Sequence, residues 1–231
     1  MSLVSSSSSS SSSSPLPAGV PAAHPSPAAP SDWVTRWADQ WPAGVSVLDL
    51  ACGSGRHLRP LADAGLRLCG VDRDGQALSG LASWASSAGI ADRVELIEAD
   101  IEQGPWPLQG RVFDAVVVTN YLWRPLLPRI VAAVAPGGWL IYETFTDGQQ
   151  TIGRPSRPEF LLRPGELLDV ARGLRVIAFE EGFIEGTGTG TPLGGVNGRY
   201  VQRVAAIREN SAPASAPEGS PGGVFPRVRL R

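Results

Sequence analysis

Short apolar segments recur along the middle of the chain and predict the strands of a buried sheet. They are rich in β-branched and aliphatic residues and lie at residues 45–50, 66–71, 94–98, 113–119 and 139–145. Nearly continuous apolar runs of this length are typical of strands that are covered on both faces. We therefore expect an interior sheet rather than one with a solvated face.

Amphipathic segments follow the first two apolar runs and predict helices. Their apolar residues recur at helical spacing, namely Leu58, Leu61 and Ala62, then Ala77, Leu78, Leu81 and Trp84. Strands that alternate with helices predict a parallel sheet with right-handed crossovers. A third such segment, 126–134, predicts a helix that Pro136-Gly137-Gly138 ends, and Pro164 is expected in the first turn of another.

The last part of the domain predicts a change of strand direction. Two more strands are expected at 174–179 and 200–207, and a glycine-rich segment, 186–198, joins them. Such a connection favours a hairpin. The sequence thus predicts an α/β fold with a seven-stranded sheet, mostly parallel, whose last hairpin is antiparallel.

The two ends of the chain differ from this pattern. An unbroken serine tract occupies 5–14, proline and alanine dominate up to residue 30, and 211–221 has a similar composition. Segments of this kind bury too little apolar surface to offset the entropy of ordering. We predict a disordered tail over 1–30, one domain over 31–210 and a second disordered tail over 211–231.

Composition narrows the classes of function. The net charge of −2 argues against a nucleic-acid partner but does not exclude one. Two cysteines and two histidines, without a CxxC pair, predict neither a metal site nor a disulfide framework. No targeting or membrane-spanning segment is recognisable, so a cytoplasmic location is expected.

A glycine loop follows the first predicted strand. The segment Val47-Leu48-Asp49-Leu50-Ala51-Cys52-Gly53-Ser54-Gly55-Arg56-His57 leads from strand to helix, where glycines allow backbone N–H groups to approach a polar cofactor group. A dinucleotide fingerprint requires a third glycine at position 58, which is Leu58. Asp72 ends the second strand, 19 residues after Gly53, where a carboxylate can accept hydrogen bonds from both hydroxyls of a ribose.

The pattern Asp49-x-Ala51-x-Gly53-x-Gly55 with Asp72 resembles motifs I and II of class I S-adenosylmethionine-dependent methyltransferases. The resemblance implies a Rossmann-like fold, S-adenosylmethionine as the cofactor and a set of cofactor-binding residues. These are Asp49, Ala51, Gly53, Gly55, Asp72, Arg73, Asp100, Ile101 and Asn120. In the family, the acid at position 100 takes the adenine amino group, although an aspartate there can also simply cap a loop.

The predicted acceptor side follows the fourth strand, at Thr119-Asn120-Tyr121-Leu122-Trp123. This segment departs from the Asn/Asp-Pro-Pro-aromatic motif of adenine and glutamine methyltransferases, which disfavours methylation of base or amide nitrogen. Tyr121 and Trp123 are candidate substrate residues, with a core position as the alternative. Arg154, Arg157 and Arg163 are either anion ligands or solvated surface residues, and of these Arg157 and Arg163 are predicted as substrate ligands.

Segments 143–145 and 160–167 resemble the tellurite-resistance (TehB-like) branch of the same family, which is related to small-molecule thiol and chalcogen methyltransferases. No side chain is assigned as a catalytic base. A sulfonium donor is already activated, so a thiol or chalcogen oxyanion acceptor needs none. Two alternatives stay open: a non-catalytic protein that binds the same cofactor, and a nicotinamide oxidoreductase, which Leu58 and the absence of lysine disfavour.

Three further features allow more than one interpretation. Cys52 is interpreted as a small packing residue of the loop, and His57 as a contact to cofactor or substrate or else a solvated or capping residue. Trp33, Arg36 and Trp37 share one helical face before the first strand. They either cover the cofactor or anchor this helix to the domain.

Overall fold

The computed structural model describes residues 29–186, 197–210 and 228–230. The predicted tails over 1–30 and 211–231 lie almost wholly outside these described residues. Two residues of the second tail contact the domain: the Arg229 N–H donates to Gln40 Oε1 at 2.9 Å, and Gln40 Nε2 donates to the Arg229 carbonyl at 3.2 Å. Val228 packs beside them against the apolar cluster under α1.

A single sheet organises the described residues, and its strand order is β3-β2-β1-β4-β5-β7-β6. The strands are β1 (Ser46–Leu50), β2 (Arg67–Asp72), β3 (Val94–Glu98), β4 (Phe113–Thr119), β5 (Val134–Phe145), β6 (Arg175–Glu185) and β7 (Gly198–Ile207). The α-helices are α1 (Asp32–Ala38), α2 (Leu58–Asp63), α3 (Gly75–Ser87), α4 (Leu127–Ala132) and α5 (Glu166–Val170).

The strand directions confirm the predicted architecture. β1 to β5 pair in parallel, whereas β7 pairs antiparallel with both β5 and β6. The chain reverses its order between β1 and β4, which is where α/β sheets open a crevice at the carboxyl ends of their strands. The antiparallel β7 also returns its first residues to that same edge, next to the end of β5.

The Pro-Gly-Gly segment forms an irregularity inside a strand, so the prediction that it separates a helix from a strand is wrong. Val134 pairs with Phe113, and regular pairing resumes at Trp139 with Ala115. A Cβ at Gly138 would lie 3.0 Å from the Phe113 carbonyl oxygen, so the close strand contact requires glycine there. The backbone bonds of 134–138 are thus satisfied by neighbouring strands, and Val134 is not helical.

The start of α5 also differs from its prediction. Gly165 has a φ of 70°, in the left-handed region, and precedes the helix as its N-cap. Pro164 therefore lies outside α5, which begins two residues later at Glu166. The left-handed glycine turns the chain before the helix can form.

The core lies on both faces of the sheet, as alternating strand residues require. Leu48 belongs to one buried cluster and Val47 to the other. Burial on both faces holds for the central strands but is wrong for β3, whose residues are all partly or fully exposed. β3 is an edge strand, so it has a neighbouring strand on one side only.

Aromatic side chains anchor α1 to the sheet. Trp33 and Trp37 are fully buried, and Trp33 Nε1 donates to the Val204 carbonyl at 3.3 Å. The Arg36 guanidinium lies 4.8 Å from the centre of the Trp37 ring. These contacts anchor α1 to the domain, which was the alternative to a cover over the cofactor.

Candidate functional site

The glycine loop between β1 and α2 has a left-handed backbone at Ala51, Gly53 and Gly55, with φ values of 57°, 52° and 76°. A Cβ at Gly53 would have no neighbour within 4 Å, whereas a Cβ at Gly55 would lie 2.3 Å from Cδ2 of Leu81. The two glycines therefore serve different purposes. Gly55 lets α3 pack closely, and Gly53 leaves open space above the loop.

Asp72 ends β2 and holds this loop in place. One of its carboxylate oxygens accepts from the Gly53 N–H at 2.7 Å and the other from the Asp74 N–H at 2.9 Å. Asp74 in turn caps α3 by accepting from the N–H groups of Gln76 and Ala77. The carboxylate of Asp72 is thus fixed by backbone donors.

A cavity of about 170 Å³ lies at the carboxyl ends of the first three strands. It brings together five of the nine predicted cofactor residues: Ala51, Asp72, Arg73, Asp100 and Ile101. Ala99, Glu102 and Tyr121 complete its lining. The parallel sheet explains this convergence, since the ends of neighbouring parallel strands meet at one edge.

Asp100 caps a loop and also lines the cavity. Its Oδ1 accepts from the N–H groups of Glu102 and Gln103, at 3.0 and 3.1 Å, which is a loop cap. The same residue lines the cavity beside Ile101. The two backbone hydrogen bonds of this cap hold Oδ1 of Asp100 in position.

Tyr121 lies on this cavity, although the sequence suggested a place on the acceptor side. Its buried hydroxyl has no hydrogen-bond partner among the described residues. Burial, and after it the negative charge of Glu102, raises the pKa of this hydroxyl well above its usual range. Tyr121 therefore offers a protonated hydroxyl at the cavity, beside the Glu102 carboxylate.

Asp49 is almost fully buried, and its Oδ2 has no hydrogen-bond partner among the described residues. His57 Nδ1 lies 3.7 Å from that oxygen. His57 Nε2 accepts a hydrogen bond from the Ser31 N–H at 3.2 Å. His57 is buried and links the start of α1 to the loop, a role that its sequence position did not reveal.

The ends of β4 and β5 carry a second polar group of residues. Thr119 and Glu143 are register partners there. Glu143 is fully buried and accepts from Ser31 Oγ at 3.1 Å and from Arg199 Nη2 at 3.0 Å, while Arg203 Nη1 lies 3.4 Å from its other oxygen. This polar group therefore lies where the predicted acceptor segment, 119–123, begins.

Asn120, the last predicted cofactor residue, follows β4 with a left-handed φ of 54°. Its N–H donates to the Glu143 carbonyl at 2.9 Å, and its side chain is exposed. It lies next to Thr119, whose hydroxyl accepts from Arg56 Nη2 at 3.0 Å. Sequence reasoning did not select Arg56, although a cation directly after the glycine pair was a usable signal.

Three predicted substrate residues lie away from the described cofactor cavity. Arg157 is exposed, pairs with Glu159 and lies over the Phe160 ring. Arg163 is 78% exposed and pairs with Glu166 at 3.5 Å. Trp123 packs, partly buried, against the core. Arg157 and Arg163 thus make the contacts of solvated surface residues, and Trp123 those of a core aromatic.

The described residues contain no group of three or more histidines, cysteines or acids placed to hold a metal ion. Cys52 and Cys69 are buried free thiols. Among the described helices, none combines the length and apolar character needed to span a membrane.

Comparison with known proteins gives a consistent assignment. Residues 47–138 match a family model described as a methyltransferase domain. The chain is 32% identical over 136 residues to ribosomal protein L11 methyltransferase of Actinobacillus pleuropneumoniae serotype 5b (strain L20), covering 56% of this chain and 44% of the relative. It is 27% identical over 168 residues to tRNA U34 carboxymethyltransferase of Klebsiella pneumoniae subsp. pneumoniae, covering 67% and 49%. The chain thus spans less than half the length of these curated relatives.

The crystal structure of TehB from Haemophilus influenzae shares the fold, with a TM-score of 0.62 and 19% identity over 77% of this chain and 62% of that one. The resemblance found in the sequence therefore extends to the tertiary structure. The family match shows a methyltransferase domain over residues 47–138, and the strand order and the likeness to TehB show the fold of this domain.

Proposed function

We propose that this protein binds S-adenosylmethionine and transfers its methyl group to a small-molecule acceptor such as a thiol or a chalcogen oxyanion. One observation carries the proposal: the cavity lined by Asp72, Asp100 and Tyr121 lies beside a glycine loop that is open above Gly53. The family match covers residues 47–138, whereas this activity is proposed for the whole protein.

The residues present fit this cofactor. Asp72 would hold the ribose, and Asp100 with Ile101 would hold the adenine, because the fixed carboxylates and the apolar Ile101 line one cavity. The unpartnered Tyr121 hydroxyl and Asp49 Oδ2 are polar atoms that lack a protein partner among the described residues. Gly53 supplies the space that a side chain would fill. When bound, the cofactor supplies an activated methyl group on a sulfonium centre.

The chain's own contribution is to position the reactants and to exclude water. The buried imidazole of His57 accepts from Ser31 through Nε2, so this nitrogen is not free to take a proton from an acceptor. An acceptor that ionises readily, such as a thiol or an oxyanion, needs no such base. This supports the proposed acceptor class over an alcohol or amine.

We also propose that the domain extends from residue 31 to residue 210, that the protein has no nucleic-acid partner and that it is cytoplasmic. The net charge of −2 supports the absence of a nucleic-acid partner. The unpaired thiols of Cys52 and Cys69 support a reducing environment. Two curated relatives are named for a ribosomal protein and for a tRNA. A test for the acceptor therefore has to include a ribosomal protein and a tRNA as alternatives.

The cofactor assignment is tested by calorimetric titration with S-adenosylhomocysteine. We expect binding by the wild type and a loss of binding in Asp72→Ala and Gly53→Val, with Arg163→Gln as the exposed control. Wild-type affinity in both site variants would refute the assignment.

The acceptor is then sought with a methyl-release assay. The panel contains thiols, tellurite, selenite and small phenols, and adds ribosomal protein L11 and tRNA. Turnover of a thiol or oxyanion supports the proposal, and turnover of only protein or RNA contradicts it. Cofactor binding without any turnover would favour a non-catalytic, cofactor-binding protein.

A further inference from the structure

We infer that Arg56 and Arg199 form an anion-binding site that holds the charged group of the methyl acceptor, a small carboxylate or oxyanion. The inference rests on the proposed function and names the substrate class for the same site. A cavity of about 570 Å³ is lined by both arginines together with Ser31 and Asp32.

Two separate parts of the fold bring these arginines together. Arg56 lies in the glycine loop before α2, and Arg199 is the second residue of β7. Arg56 donates to Thr119 at the end of β4, and Arg199 to Glu143 at the same level of β5. The two guanidinium groups therefore converge on neighbouring strand ends.

The charges around the cavity are unevenly matched. Glu143 already accepts from Ser31 and Arg199 and pairs with Arg203 at 3.4 Å. Asp32, an exposed carboxylate of the cavity lining, pairs with Arg203 at 3.2 Å. The other lining carboxylate, Glu185, is exposed to solvent. The nearby carboxylates are thus either engaged or solvated.

Arg56 is half-buried and forms no ion pair with any described residue. The hydroxyl of Thr119, which accepts a hydrogen bond from Arg56 Nη2, is neutral. Burial, and after it the positive charge of Arg199, lowers the pKa of Arg56 and outweighs the opposing effect of the Glu143 and Asp49 carboxylates. A cation that is partly removed from water beside a second cation is stabilised by an anion between them.

The position of the cavity separates the anion from the site proposed for the adenosine. The cofactor cavity lies at the ends of β1 to β3 and shares no lining residue with the cavity of the two arginines. The glycine loop lies between them, since Ala51 lines the first and Arg56 the second. An acceptor held at the second cavity therefore reaches the loop from the side opposite the adenosine end.

The test uses the full chain saturated with S-adenosylhomocysteine and titrated with sodium selenite in a calorimeter. Chloride holds the ionic strength constant, because salt screens such contacts. Loss of a charge-assisted hydrogen bond predicts at least about tenfold weaker selenite binding in Arg56→Gln. Arg56→Lys keeps the charge and should retain part of the affinity.

Two matched variants complete the design. Arg199→Lys preserves a cation for the buried Glu143, so it avoids the unfolding that Arg199→Gln risks, and it should also weaken selenite binding. Arg172→Gln removes an exposed arginine that pairs with Asp169, and it should bind selenite as the wild type does.

The outcomes separate this inference from the proposed function. Undetectable selenite binding by the wild type at millimolar concentration, or equal binding by all variants, overturns the inference alone. An Arg56→Gln variant that binds S-adenosylhomocysteine poorly but 5′-methylthioadenosine normally would overturn it too, since Arg56 would then hold the cofactor's carboxylate. Failure of the wild type to bind S-adenosylhomocysteine would remove the proposed function and this inference together.

Discussion

The Asp72 carboxylate accepts a 2.7 Å hydrogen bond from the Gly53 N–H, which joins the end of β2 to the glycine loop after β1. The second carboxylate oxygen accepts from the Asp74 N–H. Each oxygen thus keeps one further lone-pair direction for a ligand. Asp72 is both a support of the loop and a wall of the cavity.

Replacing Asp72 by asparagine should weaken both roles. The amide has one acceptor oxygen and presents an NH₂ group to the other backbone donor, so we expect a loss of about 1–2 kcal/mol in the free energy of unfolding. The affinity for S-adenosylhomocysteine should fall at least about tenfold, because a charge-assisted bond to ribose is lost. Urea unfolding and calorimetry measure the two effects.

Asp169→Asn is the matched control, because Asp169 is an exposed aspartate outside the cavity. It should change stability by less than about 0.5 kcal/mol. Unaltered stability of Asp72→Asn would contradict the supporting role of the Gly53 hydrogen bond.

Alanine at the two loop glycines should separate ligand binding from stability. Gly53→Ala meets no neighbouring atom and should cost only the left-handed backbone strain, about 1–2 kcal/mol, while reducing cofactor affinity. Gly55→Ala carries the same strain and also collides with Leu81, so it should be the less stable variant. Thermal unfolding ranks their stabilities, and titration with S-adenosylhomocysteine measures binding. The reverse order of stability would show that Leu81 adapts freely.

Glu166 should make stability depend on acid pH. Burial acts to raise its pKa, but hydrogen bonds from Arg124 and Arg163 outweigh burial and lower the pKa to about 2. A carboxyl whose pKa is lower in the folded chain stabilises it above the unfolded pKa, and this contribution is lost as pH falls from 4.5 towards 2.

The measurement compares wild type with Glu166→Gln by urea unfolding at several pH values. Near pH 7 the variant should lose about 1–3 kcal/mol, and the difference should shrink steadily under acid conditions. Glu209→Gln, which removes an exposed carboxylate paired with Arg175, controls for the loss of charge. A difference that is constant with pH would refute the ionised Glu166–Arg124 pair.

The thiols should be unreactive in the folded protein. Burial, then the negative charge of Asp49, raises the pKa of Cys52, and burial, then Glu95, raises the pKa of Cys69 to about 12. Since thiolate is the reactive form, Ellman's reagent should label neither cysteine near about pH 8 and both after unfolding.

A Ser87→Cys variant provides the positive control, because Ser87 is an exposed residue at the end of α3. Its added thiol should react at once. Rapid labelling of a native cysteine would show that the glycine loop opens, since Cys52 lies within it.

The sequence by itself determined the strands, the alternation of strands and helices along the chain, and most of the residues that line the cavity at Asp72. Apolar runs and helical spacing are local signals, and a parallel sheet places the ends of its strands at one edge. Asp72, Asp100 and Ile101 could therefore be grouped from their positions after predicted strands. The antiparallel ending followed from two apolar runs joined by glycine-rich chain.

Only the tertiary structure decided which distant side chains meet. Val134 belongs to a strand because Phe113 offers it a partner, which overrides the breaking tendency of the following Pro-Gly-Gly. Arg199 reaches Glu143 because β7 returns antiparallel along β5, and His57 is buried because α1 folds over it and supplies the Ser31 N–H. These contacts depend on strand register and on the closure of long loops, and neither is encoded in the spacing of nearby residues.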